Sequence, residues 1–252
     1  GPKIIPCESL GGIYFLNGIK LMFYNTASGS SVPVNEFKTN GYTFSDAFAA
    51  GNLLYILENS NNSTNKGSIV TVYNLNTGKT ERTINFDKAA NVIGVDTSGR
   101  IYLSGYNDDG YSIYLLSKAG TLLSTVKSEQ SIYDFAGFDS TNGNFYVVGY
   151  MNWVYWGYDH DMHVLRAGNV KNNTITFNET YIKMISQSYW YERAEQADVL
   201  GNKYICIDNT YQSQLQILDS NTCSISNSTI NSVFSLARDN TEDGDFDVYA
   251  SA

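Results

Sequence analysis

The sequence predicts an all-β fold built from about six repeats of a four-stranded antiparallel sheet. Three observations predict it: a glycine turn followed by a short aromatic strand recurs along the chain, each copy is flanked by further strand-like segments, and no long stretch favours a helix. The composition agrees, because 14% of the 252 residues are aromatic and only 16% are charged. Such a mixture suits strands and turns better than helices.

The recurring strand carries a tyrosine in each copy. The six copies are GGIYFLNG from Gly11, GNLLYILE from Gly51, SGRIYLSG from Ser98, NGNFYVVG from Asn142, GNKYICID from Gly201 and DGDFDVYA from Asp243. Their tyrosines are Tyr14, Tyr55, Tyr102, Tyr146, Tyr204 and Tyr249. The spacings of 41, 47, 44, 58 and 45 residues are close to the roughly 40 to 50 residues of one β-propeller blade.

The other strands of each blade flank this anchor strand. Small and apolar residues precede it, as in YTFSDAFAAG and NVIGVDTSG, and suit the crowded innermost strand near a propeller axis. An apolar third strand follows, for example SIVTVYNLNTGK, and then a weaker outer strand such as KTERTINF. In the third strand, Val70 and Val72 alternate with Thr71 and Tyr73, which predicts two differently packed sides.

The predicted architecture is a single β-propeller domain over residues 1–252, with about six four-stranded repeats. The last repeat stops after its second strand, so a five-bladed ring and a truncated seven-bladed ring are the alternatives. The pattern resembles the propeller superfamily that includes the YVTN, NHL and quinoprotein-like repeats, and YNLNTGKT from Tyr73 is the best local match. This resemblance covers nearly the whole chain, but it implies architecture and not chemistry.

The longest repeat is predicted to carry the functional site. The interval between Tyr146 and Tyr204 exceeds the preceding one by 14 residues, and the excess falls in MNWVYWGYDHDMH from Met151 and SQSYWYERAEQ from Ser186. The resemblance implies that these two segments are loops on one face of the propeller. The predicted ligand-binding residues in them are Trp153, Tyr155, Trp156, Tyr158, Asp159, His160, Asp161, Tyr189, Trp190, Tyr191, Glu192 and Arg193.

Clustered tryptophans and tyrosines are typical of a binding surface. We expect the tryptophan rings to stack on sugar rings while the acidic side chains and Arg193 bind hydroxyl groups, so the predicted partner is carbohydrate or a glycosylated surface. A protein partner could use the same residues, in which case the chain would be an adhesion module of a larger surface protein. The two loops could also simply pack against each other.

Two segments are candidate metal sites. Asp159, His160, Asp161 and His163 lie together in DHDMH, but alternation along a strand would split them between two sides. The segment DNTEDGDFDVYASA resembles the calcium loop of FG-GAP propeller repeats, which implies Ca²⁺ ligands at Asp239, Thr241, Asp243 and Asp247 with Gly244 at the turn. Thr241 departs from the usual Asp or Asn, so an ordinary acidic turn is the alternative.

Enzymatic motifs are scarce, so a non-catalytic protein is favoured. The sequence contains no GxSxG, HExxH, Gly-rich phosphate loop or sialidase-type SxDxGxTW box. The enzymatic alternative is a secreted glycan hydrolase or lyase that uses carboxylates or histidines of the long repeat. Its candidate groups are Asp159, His160, Asp161, His163 and Glu192, and a pair such as Asp161 and Glu192 would need a suitable separation.

Charge and composition favour an extracellular or cell-surface protein. A net charge of −9 gives no driving force toward nucleic acid, and no apolar run is long enough to span a bilayer. The three cysteines, Cys7, Cys206 and Cys223, have no metal-ligand spacing and leave one thiol over if two of them pair. Glycosylation triplets, expected in a secreted glycoprotein, begin at Asn61, Asn62, Asn172, Asn178 and Asn227.

Overall fold

The structure is a computed structural model. It describes residues 3–7, 11–108, 110–128, 131–139, 143–155, 158–188, 194–200, 204–209, 214–219, 225–231, 235–238 and 246–249. Side chains are described for residues 11–108, 110–128, 131–135, 137–139, 143–150 and 165–177. The described residues contain strands and turns but no helix, and hence no helix that could span a membrane.

The strands form five four-stranded sheets and one two-stranded sheet within the described residues. Sheet 1 contains β1 Lys3–Cys7, β2 Gly12–Asn17, β3 Lys20–Asn25 and β4 Ser30–Glu36. Sheet 2 contains β5 Tyr42–Ala50, β6 Leu53–Ser60, β7 Ser68–Asn74 and β8 Lys79–Phe86. Sheet 3 contains β9 Val92–Val95, β10 Ile101–Asn107, β11 Gly110–Leu116 and β12 Leu122–Lys127.

The remaining sheets follow the same plan. Sheet 4 contains β13 Ser131–Asp139, β14 Asn144–Tyr155, β15 Tyr158–Lys171 and β16 Thr174–Ser188. Sheet 5 contains β17 Ala194–Leu200, β18 Tyr204–Asn209, β19 Gln214–Asp219 and β20 Ile225–Asn231, and sheet 6 contains β21 Ser235–Arg238 and β22 Phe246–Tyr249. Neighbouring strands are antiparallel and consecutive in the chain, which confirms the predicted all-β fold of four-stranded repeats.

The sheets pack face to face through their first strands. The strands β5, β9, β13, β17 and β21 lie next to one another in that order, and β21 also lies beside β1. One apolar core joins sheets 2, 3 and 4, and a second joins sheets 1 and 2. Both sides of a middle sheet are therefore buried, as in the third strand of sheet 2, where Val70 and Val72 are fully buried and Tyr73 is 3% exposed.

The four recurring tyrosines whose side chains the structure describes are core residues. Tyr14, Tyr55, Tyr102 and Tyr146 are all buried, so the sequence repeat reflects packing between neighbouring sheets. Their hydroxyl groups find polar partners at the sheet ends, which buried hydroxyls require. The Tyr14 hydroxyl donates to the Leu75 carbonyl oxygen at 3.4 Å, and the Tyr102 hydroxyl donates to Asp96 Oδ2 at 3.1 Å.

The buried tyrosines predict a loss of stability at alkaline pH. Burial, reinforced by the neighbouring Asp96 carboxylate, raises the pKa of Tyr102 far above its ordinary value of 10.0. Above pH 10 the unfolded chain therefore loses this proton while the folded chain keeps it, so the free energy of unfolding falls as the pH rises. In Tyr102→Phe the free energy of unfolding should fall less steeply with pH, by about 1.4 kcal/mol per pH unit. Urea unfolding between pH 9.5 and 11.5 measures this slope.

The control for this pH dependence is Tyr106→Phe, because the Tyr106 side chain is 62% exposed. It should leave the slope unchanged. An equal slope in the wild type and in Tyr102→Phe would contradict the assignment of the alkaline transition to Tyr102.

Candidate binding face

The sequence analysis placed the functional site in two kinds of connection, and both lie at the same end of the sheets. Because successive strands are antiparallel, the turn between the second and third strands lies at the same end as the linker to the next sheet. We call this end the upper face. Its described parts are the turn after β2, the loop 61–67, the β10–β11 turn, the ends of β14 and β15, and the linkers 37–41 and 87–91.

The prediction that Met151 to His163 is a loop was wrong. These residues extend β14 and β15, which stay paired without a register shift up to Tyr155 opposite Tyr158. The strand β16 joins this extension, since Asp161 pairs with Ser188. A loop was expected because the segment carries part of the excess length of the longest repeat, which the resemblance to propeller repeats implies falls in connections between strands.

The extended strands project beyond sheet 3. The strand β14 continues nine residues past Tyr146, whereas β10 continues five residues past the equivalent Tyr102. Four more residues at about 3.3 Å each add about 13 Å to the height of sheet 4. We call the end of sheet 4 that includes this projection, residues 151–155 and 158–163, the extended hairpin.

The extended hairpin contains half of the predicted ligand-binding residues. Trp153 pairs with His160, and Asp159 and Asp161 pair with Val154 and Asn152. The side chains of these residues, and of Tyr155 and Tyr158, lie outside the described set. Other predicted binding residues lie wholly outside the described residues, namely Trp156, Tyr189, Trp190, Tyr191, Glu192 and Arg193.

The two candidate metal sites also lie outside the described side chains. Asp159 to His163 occupy consecutive positions of β15. Asp247 lies in β22 opposite Ala237, while Asp239, Thr241 and Asp243 are not among the described residues. The side chains that are described include no group of three His, Cys, Asp or Glu that could hold a metal ion. Calcium binding by the C-terminal loop stays a prediction.

An exposed pair of tyrosines on the upper face was missed by the sequence analysis. Tyr106 and Tyr111 face each other across the β10–β11 turn, and their ring centroids are 4.9 Å apart in an edge-to-face arrangement. The Tyr106 side chain is 62% exposed and that of Tyr111 36%. The available signal was YNDDGY, in which two tyrosines flank a short polar turn.

The tyrosine pair lies on the side of sheet 3 that faces sheet 4. Alternation along β10 places Tyr106 on the same side as Tyr102, whose ring packs against Phe135 and Phe145 of sheet 4. The extended hairpin projects from that neighbouring sheet. When β10 and β14 are aligned on Tyr102 and Tyr146, Tyr106 corresponds to Tyr150, the residue just before the extended hairpin.

The turn that carries the tyrosine pair is fixed to the adjacent linker. Asn107 Nδ2 donates to the Tyr114 hydroxyl at 2.9 Å and to the Ala89 carbonyl oxygen at 3.4 Å. Gly105 lies so close to the linker that a Cβ at this position would be 2.3 Å from the Ala89 oxygen. These contacts hold the two exposed rings on a rigid support.

The linker itself is anchored to sheet 2. Ser68 Oγ donates to the Lys88 carbonyl oxygen at 2.7 Å and accepts from the Ala90 N–H at 2.9 Å. Asp46 Oδ2 accepts from the Ile93 N–H at 3.0 Å and so joins the inner strands of sheets 2 and 3. The part of the upper face that belongs to sheets 2 and 3 is thus held in place by hydrogen bonds, which limits the entropy lost when a ligand binds.

Two buried carboxylates, those of Glu58 and Asp96, serve the fold. Glu58, 2% exposed, accepts from the Thr39 N–H at 3.0 Å and from Thr39 Oγ1 at 2.6 Å, and this fixes the linker between sheets 1 and 2. In the β9–β10 turn, the Asp96 carboxylate accepts hydrogen bonds from the Ser98 N–H and from Arg100 Nε. These hydrogen bonds offset the cost of burying the two carboxylates, so their burial is explained without a catalytic role.

Comparison with known proteins shows that the fold is a β-propeller. No protein-family model matches the chain, and no curated protein matches its sequence. Among solved structures, the β-propeller domain of Myceliophteria thermophila Cps50 (Swd1) is similar with a TM-score of 0.50 and 13% identity, over 83% of this chain and 62% of that domain. The chain thus spans less than two thirds of that domain's length.

Two other similar structures illustrate how varied proteins of this fold are. A chain of the mitotic checkpoint complex has a TM-score of 0.55 and 11% identity, over 98% of this chain and 83% of the other. An oligogalacturonate lyase in complex with manganese has a TM-score of 0.52 and 10% identity, over 86% of this chain and 61% of the other. At such identities the similarity shows the fold alone, so function has to be argued from the upper face.

Proposed function

We propose that the protein is a non-catalytic binding propeller that recognises carbohydrate on its upper face, between the Tyr106–Tyr111 pair and the extended hairpin. The exposed tyrosine pair is the observation that carries this proposal. Exposed aromatic rings that are clustered and held in place are typical of binding surfaces. A sugar offers C–H groups to the face of a ring and hydroxyl groups to polar neighbours such as Asn107 and Asp108.

The extended hairpin supplies the second part of the proposed site. Trp153 and Tyr155 follow Phe145 by eight and ten positions, both even offsets, on a strand that pairs with β15 without a register shift. The period of two therefore predicts that their positions lie on the side of sheet 4 that faces sheet 3. Aromatic residues would then border the ligand from two neighbouring sheets, which favours an extended glycan over a single small sugar.

An extracellular or cell-surface location is part of the proposal. Support comes from where the glycosylation triplets lie. Asn61 and Asn62 are exposed in the loop between β6 and β7, and Asn172 is exposed at the β15–β16 turn. Asparagines in exposed turns are accessible to the glycosylation machinery of a secretory pathway.

Binding is expected to be lost when both tyrosines are replaced. A Tyr106→Ala/Tyr111→Ala variant should bind its glycan at least about tenfold more weakly, which corresponds to about 1.4 kcal/mol, because the variant removes the stacking surface. The measurement is a glycan array with the wild type, followed by titration calorimetry with the glycan it selects. The midpoint of thermal unfolding should fall only modestly, and mainly because of Tyr111, since Tyr106 is 62% exposed and Tyr111 36%.

The matched control is Tyr24→Ala on sheet 1. Tyr24 has the same 36% exposure as Tyr111 but lies away from sheets 3 and 4, so its replacement should leave glycan affinity unchanged. A second variant, Trp153→Ala, tests the extended hairpin and should also weaken binding. If the wild type selects no glycan, a protein partner that uses the same aromatic residues becomes the better interpretation.

A further inference from the structure

Three of the five glycosylation triplets begin at an asparagine whose side chain the structure describes. These asparagines are Asn61, Asn62 and Asn172, and all three are exposed, so exposure does not distinguish them. An Asn-X-Ser/Thr triplet offers two groups to the enzyme that modifies it, the amide of the asparagine and the hydroxyl two residues later. A triplet in which both groups lie together at the surface therefore fits that enzyme best.

The triplet at Asn62 brings its two groups together. Asn62 Oδ1 accepts hydrogen bonds from Thr64 Oγ1 at 2.7 Å and from the Thr64 N–H at 3.0 Å. This arrangement is an Asx turn, in which the side-chain amide closes a turn of the backbone. Both residues are exposed, and within the described part of the chain Asn62 Nδ2 donates no hydrogen bond. The amide nitrogen is therefore available beside the threonine hydroxyl.

The Asx turn depends on residues 62–64 alone. Its donors and its acceptor lie within three consecutive residues, so the turn can form before the sheets assemble. An enzyme that acts on the nascent chain thus meets the same arrangement as in the folded protein. In the folded protein the triplet stays accessible, because the loop 61–67 lies between β6 and β7 and outside their strand ladder.

The overlapping triplet at Asn61 is held by sheet 2. Asn61 Oδ1 accepts from Thr43 Oγ1 of β5, and the Asn61 N–H donates to the Gly41 carbonyl oxygen at 2.8 Å. The Asn61 amide is thus engaged by β5, whereas that of Asn62 is engaged by the hydroxyl of its own triplet. Because a glycan is bulky, two adjacent asparagines cannot readily carry one each, and the hydrogen bonds favour Asn62.

The remaining triplets lie in regular sheet structure. Asn172 occupies the tight β15–β16 turn with a φ angle of 51°, and its Thr174 pairs with Lys171 in the strand ladder. Asn178 and Asn227 lie within β16 and β20. Along a strand, residues two positions apart are separated by about 6.6 Å, which is too far for an Asx turn. These triplets are therefore poorer acceptors.

We propose that Asn62 is the acceptor of an N-linked glycan. In this reaction Nδ2 forms a bond to C1 of a lipid-linked oligosaccharide, and the bond from C1 to the phosphate of the lipid breaks. The phosphate leaves with the bonding electrons, and one amide proton is released. The proposal rests on the extracellular location in the proposed function, because Asn-X-Ser/Thr glycosylation belongs to secreted proteins.

The glycan would leave the proposed binding site open. Asn62 belongs to the loop between the second and third strands of sheet 2. Tyr106 and Tyr111 lie on sheet 3, on the side that faces sheet 4 and is turned away from sheet 2. Carbohydrate recognition and modification at Asn62 are thus separate properties that separate measurements can test.

The test is translation of the chain behind a signal peptide into microsomes, followed by mass spectrometry of the peptide that contains the loop 61–67. Enzymatic release of the glycan converts the modified asparagine to aspartate and so identifies it. We expect modification at Asn62 in the wild type. Asn62→Gln and Thr64→Val should lose this glycan, whereas Thr64→Ser keeps the hydroxyl and should retain it.

Asn61→Gln is the matched control, because it removes the overlapping triplet and keeps the one at Asn62; it should leave the glycan in place. A wild type that stays unmodified at Asn62, or a Thr64→Val variant that keeps the glycan there, would overturn the proposal. So would an unmodified Asn62 in protein isolated from its own cells. Modification at Asn62 in a protein that selects nothing on the glycan array would contradict carbohydrate recognition and support the acceptor site.

Discussion

Replacement of Phe145 by alanine is expected to destabilise the protein by about 3–5 kcal/mol, the range for a fully buried aromatic side chain. Phe145 has no exposed surface, and its ring lies 5.4 Å from that of Tyr102 and 5.9 Å from that of Phe177. The ring also covers Gly168 so closely that a Cβ there would be 2.0 Å away. Each of the two sheets is held rigid by its own backbone hydrogen bonds, so they cannot move closer to fill the cavity. Most of the loss in stability should therefore remain.

Urea unfolding followed by circular dichroism measures this effect. Phe145→Leu should lose only about 1.5 kcal/mol, because most of the volume is kept. Leu122→Ala is the surface control, since Leu122 is 47% exposed, and it should change stability by no more than about 0.5 kcal/mol. Equal losses for Phe145→Ala and Leu122→Ala would show that the contact between sheets 3 and 4 does not support the fold.

Removal of the Asp96 carboxylate should have the second largest effect, about 3 kcal/mol. Asp96 is 8% exposed. It accepts from the N–H groups of Ser98 and Arg100 at 3.0 and 2.9 Å and from Arg100 Nε at 2.7 Å. Asp96→Ala would leave these donors and the Tyr102 hydroxyl without their acceptor, and each unpaired buried group costs about 1–3 kcal/mol. Because Arg100 is partly exposed, its ion pair with Asp96 contributes less to stability than the hydrogen bonds from the backbone of the turn.

Asp96→Asn distinguishes the contribution of the hydrogen bonds in the turn to stability from the contribution of the negative charge. The amide oxygen can still accept from the backbone N–H groups, so this variant should lose less stability than Asp96→Ala. Asp87→Ala is the control because Asp87 is exposed on the linker after β8, and it should leave the unfolding midpoint within about 1 °C. A loss after Asp87→Ala as large as after Asp96→Ala would attribute the effect to net charge.

The repeat was predictable because it depends on residue types that lie close together in the sequence. Each anchor strand contains a tyrosine with apolar neighbours, and these residues have to be apolar because both sides of a middle sheet are covered. Glycine turns before the anchor strand mark where the chain reverses, as at Gly51 and Gly99, which adopt positive φ angles of 58° and 81°. Such angles exclude most other residues, so the turns leave a clear signal.

The candidate site was predicted only in part. The sequence singled out the aromatic and acidic residues between Met151 and His163 as a loop, whereas residues 151–155 and 158–163 form paired strands, in which β15 pairs with both β14 and β16. Tyr106 and Tyr111 were missed because they are ordinary strand residues in sequence. Their exposure depends on how far β10 and β11 extend past the packed part of sheet 3.

By itself, the sequence determined the fold class, the order of the strands and the recurrence of a tyrosine in each anchor strand, because these depend on residue types within a few positions of one another. Only the tertiary structure decided which side of a sheet is covered. Ile13 and Leu54 have similar side chains and equivalent positions, yet Leu54 is 1% exposed and Ile13 is partly exposed. The difference arises from the neighbouring sheet, which is distant in the chain, so no local pattern encodes it.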